Sequence, residues 1–243
     1  NSIDSSIDIK DLMQFIKNPD RRTMVKLSND EFHNYIPGKN LSLEVNANNF
    51  IGGSKFIEVD RNDITDKIYF TIEKKYLTRD ELLILDILAN NDWERPVYTM
   101  YPSLFQEIAL ADYLHREGMV FRLMPYKNNN ILHDRKVFAI HQYKLITEKF
   151  VWGNINDPDV FLDHTIKQNI AGFRLRQMFV DVARELIIEG EIEKAERLLE
   201  LAQQLIPPNK IQYGYASASF ALCFYMMGEE SKGNNMVEDI RKM

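Results

Sequence analysis

Between residues 67 and 126, short β-rich runs alternate with helical patterns, and this alternation constrains the fold more than any other feature of the chain. The runs of strand-forming residues lie at 68–72, 97–100 and 120–124. Two apolar helical patterns fill the intervals between them. Strand, helix, strand, helix, strand at this spacing predicts right-handed parallel crossovers within one sheet.

Two capping-box patterns mark where the intervening helices should begin. Thr78 is followed three residues later by Glu81, and Ser103 is followed in the same way by Gln106. A capping box satisfies backbone N–H groups at a helix start. We therefore expect one helix after Thr78 and a second that continues as far as Glu117.

The first 60 residues give weaker signals. Apolar residues at 9, 12, 13 and 16 have helical spacing, so we expect a short approach helix or linker over residues 1–22. Alternating residues at 41–45 and 56–59 predict short strands, and the Asn and Gly pairs at 48–49 and 52–53 predict turns between them.

From Ile166 onward the chain has a helical pattern with an internal repeat. Gly190 and Gly228 mark the two inter-helix turns, and Pro207 ends the second helix. This pattern is typical of tetratricopeptide pairs, although the two glycines are 38 residues apart and the usual period is about 34. The loop after Pro207 should therefore carry about four extra residues. The predicted packing positions are Phe179, Val182, Ala183, Leu186, Ala195, Leu199, Ala202, Phe220, Ala221, Phe224, Gly233 and Val237.

These patterns predict an α/β plus all-α chain. A small, mostly parallel mixed sheet with flanking helices should occupy residues 23–150, with a strand expected somewhere in 137–152. A tetratricopeptide-like helical domain should occupy residues 151–243.

Composition excludes several function classes. The 243 residues carry a net charge of −6, which argues against a nucleic-acid binder that uses a basic face. One cysteine, Cys223, excludes an internal disulfide framework. No stretch of 18 apolar residues is present, so we expect no membrane span here. Because the sequence begins at Asn1 and ends at Met243 within a charged helical pattern, we expect an excised piece of a longer protein.

Sequence motifs for cofactors and metals are missing. There is no glycine-rich nucleotide-binding motif, no H-E-x-x-H and no nucleophile elbow. The five histidines are not spaced as zinc ligands, and Cys223 lies among apolar residues as a small hydrophobe would. We therefore expect no cofactor, no metal and no catalytic residue in this chain.

Candidate binding residues lie in two polar and aromatic clusters. Trp93 and Arg95 could form a stacking and ion-pairing surface for a sugar or peptide, or Trp93 could instead plug the end of the sheet. Arg122 lies on an apolar strand and needs a partner there.

The second cluster contains Trp152, Asn154 and Asp163. These residues could form a binding loop. Alternatively, Trp152 could anchor the α/β part onto the helices.

Four groups of residues together resemble a known family. They are the runs 77–89 and 91–98, the runs 112–118 and 121–125, the runs 150–154 and 160–163, and the residues Ala183, Leu186, Ile187, Glu189, Gly190, Lys194 and Ala195. The chain over residues 20–240 resembles the C-terminal soluble region of a bacterial family of multi-spanning membrane proteins of unknown function. That family is related to protein O-mannosyltransferases with a GT-C-type membrane fold. Phe121 and Met124 depart mildly from the family pattern, where Tyr and Val are expected.

The resemblance implies an N-terminal transmembrane region that carries the transfer chemistry, so the full-length protein could be a glycosyltransferase. It also implies that this chain faces the periplasm at a bacterial inner membrane. The expected function is a non-catalytic accessory domain that positions an acceptor polypeptide or stabilises the membrane part. Its expected partners are its own transmembrane region and an acceptor polypeptide or glycan, with no nucleic acid.

Two alternatives remain. One is a free-standing protein- or carbohydrate-binding adaptor. The other is a soluble enzyme with a site at the strand ends near Trp93 and Arg95; a deep pocket there would favour it, and a filled surface would count against it.

Overall fold

A computed structural model describes residues 6–26, 31–53, 59–128 and 136–242. It confirms the α/β plus all-α class, with a small mixed sheet structure followed by a helical C-terminal region. Two compact units divide the chain. The first comprises Asn1–Arg116 with Val120–Asn129, and the second comprises Glu117–Met119 with Asn130–Met243. This division lies well before residue 150, where the sequence patterns had placed it.

The described β-strands form three small sheets. The strands are β1 (Ile7–Asp8), β2 (Met24–Lys26), β3 (Phe32–Asn34), β4 (Asn40–Glu44), β5 (Lys67–Thr71), β6 (Tyr98–Thr99), β7 (Leu114–Glu117) and β8 (Val120–Leu123). The sheet orders are β1-β4-β5, β2-β3 and β6-β8-β7. Among the described residues, four α-helices accompany them: α1 (Ile9–Lys17), α2 (Ala47–Gly53), α3 (Arg79–Asn91) and α4 (Pro102–Gln106).

The three strands predicted between residues 67 and 126 exist, but the parallel crossovers do not. β5 pairs antiparallel with β4, whereas β6 and β8 pair antiparallel with each other in another sheet. A parallel pair is formed by β1 with β4. The sequence of β5, β6 and β8 carries no signal for these partners, because β4 lies far upstream and the segment of β7 has a helical pattern.

Alternating side chains of the β1-β4-β5 sheet build the core of the first unit. Leu41 and Leu43 of β4 are buried with Ile68 and Phe70 of β5. The helix α1 adds Ile9, Leu12 and Met13 to the same core and packs against α3. The short approach helix predicted from these apolar residues is therefore confirmed, and it is an integral part of this unit.

The predicted capping box at the start of α3 is confirmed. The Thr78 N–H donates to Glu81 Oε2 at 2.9 Å. Lys74 forms ion pairs with the buried Glu81 and, at 2.8 Å, with the exposed Glu107. Burial by itself would raise the pKa of Glu81, but the hydrogen bonds from Lys74 and Thr78 hold that pKa below its usual value. The buried carboxylate therefore stays charged and fixes the helix start.

Three local predictions are wrong. The helix α4 ends at Gln106, and the chain continues through Ala109, at φ +59°, into β7 rather than remaining helical to Glu117. Residues 47–53, which contain two predicted turns, form α2. Residues 136–149 are helical, not a strand. The predicted strand at 56–59 lies almost entirely outside the described residues.

In the second unit, helical segments follow one another. They are α5 (Lys136–Lys144), a π-helix (Leu145–Lys149), a second π-helix (Ile166–Leu175), α6 (Arg176–Ile188), α7 (Ile192–Leu205), α8 (Tyr215–Met226) and α9 (Glu230–Arg241). None of the helices in the described ranges has the length and apolarity needed to cross a membrane.

The repeat prediction is confirmed by burial and by backbone geometry. All the predicted packing positions of α6, α7 and α8 are at most 3% exposed. The turns at Gly190 and Gly228 have φ values of +80° and +81°, a left-handed conformation that favours glycine. The two glycines thus end α6 and α8 and allow α7 and α9 to fold back.

Arg176 holds the loop between the two helical pairs. Its side chain is 2% exposed, and its guanidinium donates to the carbonyls of Gln212 at 2.6 Å, Ile211 at 2.5 Å and Ile206 at 3.2 Å. The ring of Tyr213 lies 5.1 Å from the guanidinium carbon. Burial lowers the pKa of Arg176 to about 10, so the group remains protonated at neutral pH.

Replacing Arg176 with Met should lower the free energy of unfolding by about 3 kcal/mol, because buried loop carbonyls lose their donor. Chemical denaturation of the whole chain measures this change. The matched control is Arg184→Met on the exposed face of the same helix, which should shift the free energy by less than about 0.5 kcal/mol. Equal effects of the two substitutions would contradict the structural role assigned to Arg176.

Candidate functional site

The turn after α3 carries Trp93 in a strained backbone conformation. Asp92 has φ +45° and Trp93 has φ +60°, values that are rare for residues other than glycine. The Asp92 carboxylate accepts from Asn46 Nδ2 at 2.9 Å and from Asn49 Nδ2 at 3.0 Å. Asn49 Nδ2 also donates to the Asp92 carbonyl at 3.0 Å. These hydrogen bonds from the start of α2 hold the turn in place.

The indole of Trp93 faces the core and not the solvent. Only 8% of the residue is exposed, its Nε1–H donates to the Glu44 carbonyl at 2.8 Å, and its ring meets Phe50 edge to face with centroids 5.9 Å apart. A buried indole with a satisfied N–H is a structural anchor. Of the two interpretations from the sequence, the structure supports the plug at the sheet end.

Arg95 is exposed, whereas the ring of the nearby Trp93 is buried. Its carbonyl accepts from Asn91 Nδ2 at 2.7 Å, which closes the turn. A platform that stacks a sugar or peptide needs an exposed ring beside the guanidinium. The burial of Trp93 removes that ring.

Arg122 is buried between aromatic rings. It is 4% exposed, and its guanidinium carbon lies 5.5 Å from the centroid of Phe50 and 5.9 Å from that of Tyr98. Tyr98 is its cross-strand neighbour in the β6–β8 pair. Contacts of a guanidinium with ring faces offset part of the desolvation of the charge.

A cavity lies where the sequence suggested a site, but it is small. Leu88, Trp93, Arg95 and Arg122 contribute to its wall, and its volume is about 10 Å³. That space holds about one water molecule, whereas small-molecule sites usually measure about 300 to 1,000 Å³. This geometry counts against a soluble enzyme with a deep pocket beside Trp93 and Arg95.

In the second cluster from the sequence, Trp152 packs against the helical core. Trp152 stacks on Phe179 with ring centroids 5.4 Å apart and also contacts Phe150. Asn154 is exposed, and its carbonyl accepts from the Asp157 N–H at 3.1 Å. Asp163 Oδ1 accepts from the N–H groups of Thr165 and Ile166 and so stabilises the start of the π-helix. These residues therefore act structurally inside the second unit.

No metal site is evident in the described part of the chain, where no three His, Cys, Asp or Glu side chains come together as ligands. His133 lies outside that part. Cys223 is fully buried, and burial raises the pKa of its thiol to about 11. It behaves as the small hydrophobe that its sequence neighbours predicted.

Sequence reasoning missed a wide cleft within the second unit. It has a volume of about 510 Å³ and lies between residues 164–173 and residues 209–214. Lys167, Lys210 and Phe173 line it. The signal for it was the 38-residue spacing of the turn glycines, because the extra residues form the loop that builds one wall.

Replacing Trp93 with Phe should lower the free energy of unfolding by about 1 to 2 kcal/mol. The ring is largely retained, but the Glu44 carbonyl loses its hydrogen bond and a small space opens. Urea denaturation gives the value. Arg95→Ala, two residues away and exposed, should leave stability unchanged within about 0.5 kcal/mol; a larger loss at Arg95 than at Trp93 would refute this assignment.

Comparison with known proteins gives one family match. The family model of TMEM260-associated domain 2 matches residues 1–140. This range contains the described elements of the first unit and the start of α5. No curated protein matches the chain, and no solved structure does. A TMEM260-like family is linked to protein O-mannosyltransferase-like proteins. Because the match covers more than half of the 243 residues, the chain belongs to the family of TMEM260-associated domain 2.

Proposed function

We propose that this chain is a non-catalytic accessory domain of a glycosyltransferase-like membrane protein. In this proposal the transfer chemistry belongs to an N-terminal transmembrane region, and the chain faces the periplasm at a bacterial inner membrane. The chain positions an acceptor polypeptide for transfer. The family match supports an accessory role in a TMEM260-like protein, and the resemblance described above supplies the membrane context.

The observation that carries the interaction role is an exposed apolar stripe on α8. Leu222, Tyr225 and Met226 are 46%, 39% and 40% exposed. Their spacing of three and four residues places them on one face of the helix. The opposite face, with Phe220 and Phe224, is buried in the core. A helix that is apolar all round usually has both faces covered.

The chemistry of this stripe suits a protein partner. Tyrosine and methionine are enriched at protein interfaces, and paired helices stack into extended binding surfaces. Tyr225 is held in position because its hydroxyl donates to Asn234 Oδ1 at 2.8 Å. A side chain that is already ordered loses less entropy on binding. The stripe therefore supports binding of a polypeptide segment to α8.

The proposal places no transfer chemistry in this chain. The isolated chain should fold and should show no turnover of sugar donors, including polyprenyl-phosphate sugars. The full-length protein is assayed in parallel with an acceptor. Radiolabelled transfer to the acceptor is the measurement, and circular dichroism confirms folding. Turnover by the isolated chain would refute the non-catalytic role.

Photo-crosslinking in the full-length protein tests the α8 surface. A photoreactive amino acid at position 222 should crosslink to the acceptor polypeptide, whereas one at Leu83, an equally apolar residue that is 59% exposed in the first unit, should not. Leu222→Ser with Met226→Ser should weaken acceptor use and leave the free energy of unfolding within about 0.5 kcal/mol of the parent.

The crosslinked product separates two roles. A crosslink from position 222 to the transmembrane region would instead support stabilisation of the membrane part. Equal crosslinking at positions 222 and 83 would contradict a specific interaction surface on α8.

A further inference from the structure

The cleft of about 510 Å³ in the second unit differs in charge from the chain around it. Its walls carry His164, Lys167 and Lys210 and no aspartate or glutamate. The whole chain, in contrast, has a net charge of −6. A concave surface that carries charge of one sign attracts ligands of the opposite sign.

Neither lysine of this cleft forms an ion pair with a carboxylate of the described residues. Lys210 Nζ donates to the carbonyl of Asp157, which is a neutral acceptor. Lys167 takes part in no ion pair with the described residues. Asp163, next to His164, turns its Oδ1 to the backbone N–H groups of Thr165 and Ile166.

A second wide groove of the same unit shows the contrast. It has a volume of about 630 Å³, and its walls combine Glu191 and Glu193 with Lys194 and Arg197. Lys194 forms an ion pair with Glu191. The acids and bases of that groove balance, whereas the lining of the first cleft carries an excess of positive charge.

Arg176 adds a fixed positive charge behind one wall. It donates to the carbonyls of Ile211 and Gln212, and both of these residues line the cleft. Because the guanidinium is buried and held by several hydrogen bonds, it orders the loop before any ligand arrives. The cleft is therefore built into the fold and does not depend on mobile surface lysines alone.

The opposite wall is a π-helix of ten residues, Ile166–Leu175. Such helices are rare and are often found at functional sites. Within it, a Cβ added to Gly172 would lie 2.6 Å from the Lys167 carbonyl oxygen, so the wall has this shape only with glycine there. Phe173 follows and is 50% exposed, which leaves an apolar ring beside the cations.

We propose that this cleft binds a small organic anion, with its phosphate or carboxylate group at Lys167 and Lys210 and its ring against Phe173. The volume fits the usual range of about 300 to 1,000 Å³ for small-molecule sites. Amide side chains of Gln168, Asn209 and Gln212 supply further hydrogen-bonding groups at the walls. This inference concerns the cleft alone and does not depend on the role of α8.

Backbone amide NMR of the whole chain tests this proposal with four probes: phenyl phosphate, benzoate, inorganic phosphate and phenol. We expect both ring-bearing anions to shift amide resonances in residues 164–173 and 209–214. Inorganic phosphate should bind more weakly because it lacks the ring, and phenol should cause no saturable shift because it lacks the charge. The relative affinities of phenyl phosphate and benzoate identify the preferred anion.

Two variants keep the test specific. Lys167→Gln with Lys210→Gln should weaken binding of the preferred anion about tenfold or more, since each charge-assisted contact is lost. Lys167→Gln alone should weaken it in part and does not disturb the contact of Lys210 with Asp157. The control, Lys242→Gln, removes one charge, as Lys167→Gln does, at a lysine that is 70% exposed, and it should bind like the parent.

The proposal is overturned if phenol binds as well as phenyl phosphate, if none of the anions shifts resonances of the cleft, or if the double variant binds like the control. A uniform loss of binding in all the lysine variants, including Lys242→Gln, would also overturn it, because net charge and not the cleft would then determine binding.

Discussion

The buried guanidinium of Arg176 is the interaction on which the second unit depends. The loop between α7 and α8 contains two prolines, which lack an N–H donor, and about four residues more than a regular tetratricopeptide turn, so several of its carbonyls need donors from elsewhere. A single arginine at the start of α6 supplies donors to three of them. Without this donor, the carbonyls would lose hydrogen bonds inside a core that also holds Phe179 and Phe224. The arginine therefore links the first helical pair to the second through the loop.

Side-chain hydrogen bonds have a comparable role in the first unit. Asn46 and Asn49 at the start of α2 hold Asp92 in a left-handed turn. The turn aims the indole of Trp93 at the Glu44 carbonyl and against Phe50. Two residues in a strained conformation persist only where the surroundings determine them strongly. Here the result of the strain is a filled core, with space for about one water beside Arg122. The polar and aromatic composition of this turn thus has a structural explanation.

Local patterns in the sequence predicted local structure well. The Thr78–Glu81 capping box, the burial stripe of α6 and the turn at Gly190 were all predicted because their determinants lie within one or two helical turns. The prediction of strand partners failed because the antiparallel pairing of β5 with β4 depends on residues about thirty positions upstream. The helix predicted over residues 107–117 is wrong for a related reason. Sheet contacts of β7 with β8 outweigh the helical pattern of this segment. At the candidate site, burial of Trp93 was foreseen as one of two alternatives, and only the packing could decide between them.

The extra residues of the α7–α8 loop explain how a repeat architecture gains a cleft. Lengthening a loop by a few residues costs little closure entropy, so a longer loop is compatible with the packing of the helical pairs. The loop and the π-helix line the cleft between them. Lys210 lies on the loop side, and Lys167 and Phe173 lie on the side of the π-helix. Arg176 then makes the loop rigid from behind. Packing of the core therefore fixes the position of the loop, and this leaves its outward side chains free to serve binding without a cost in stability.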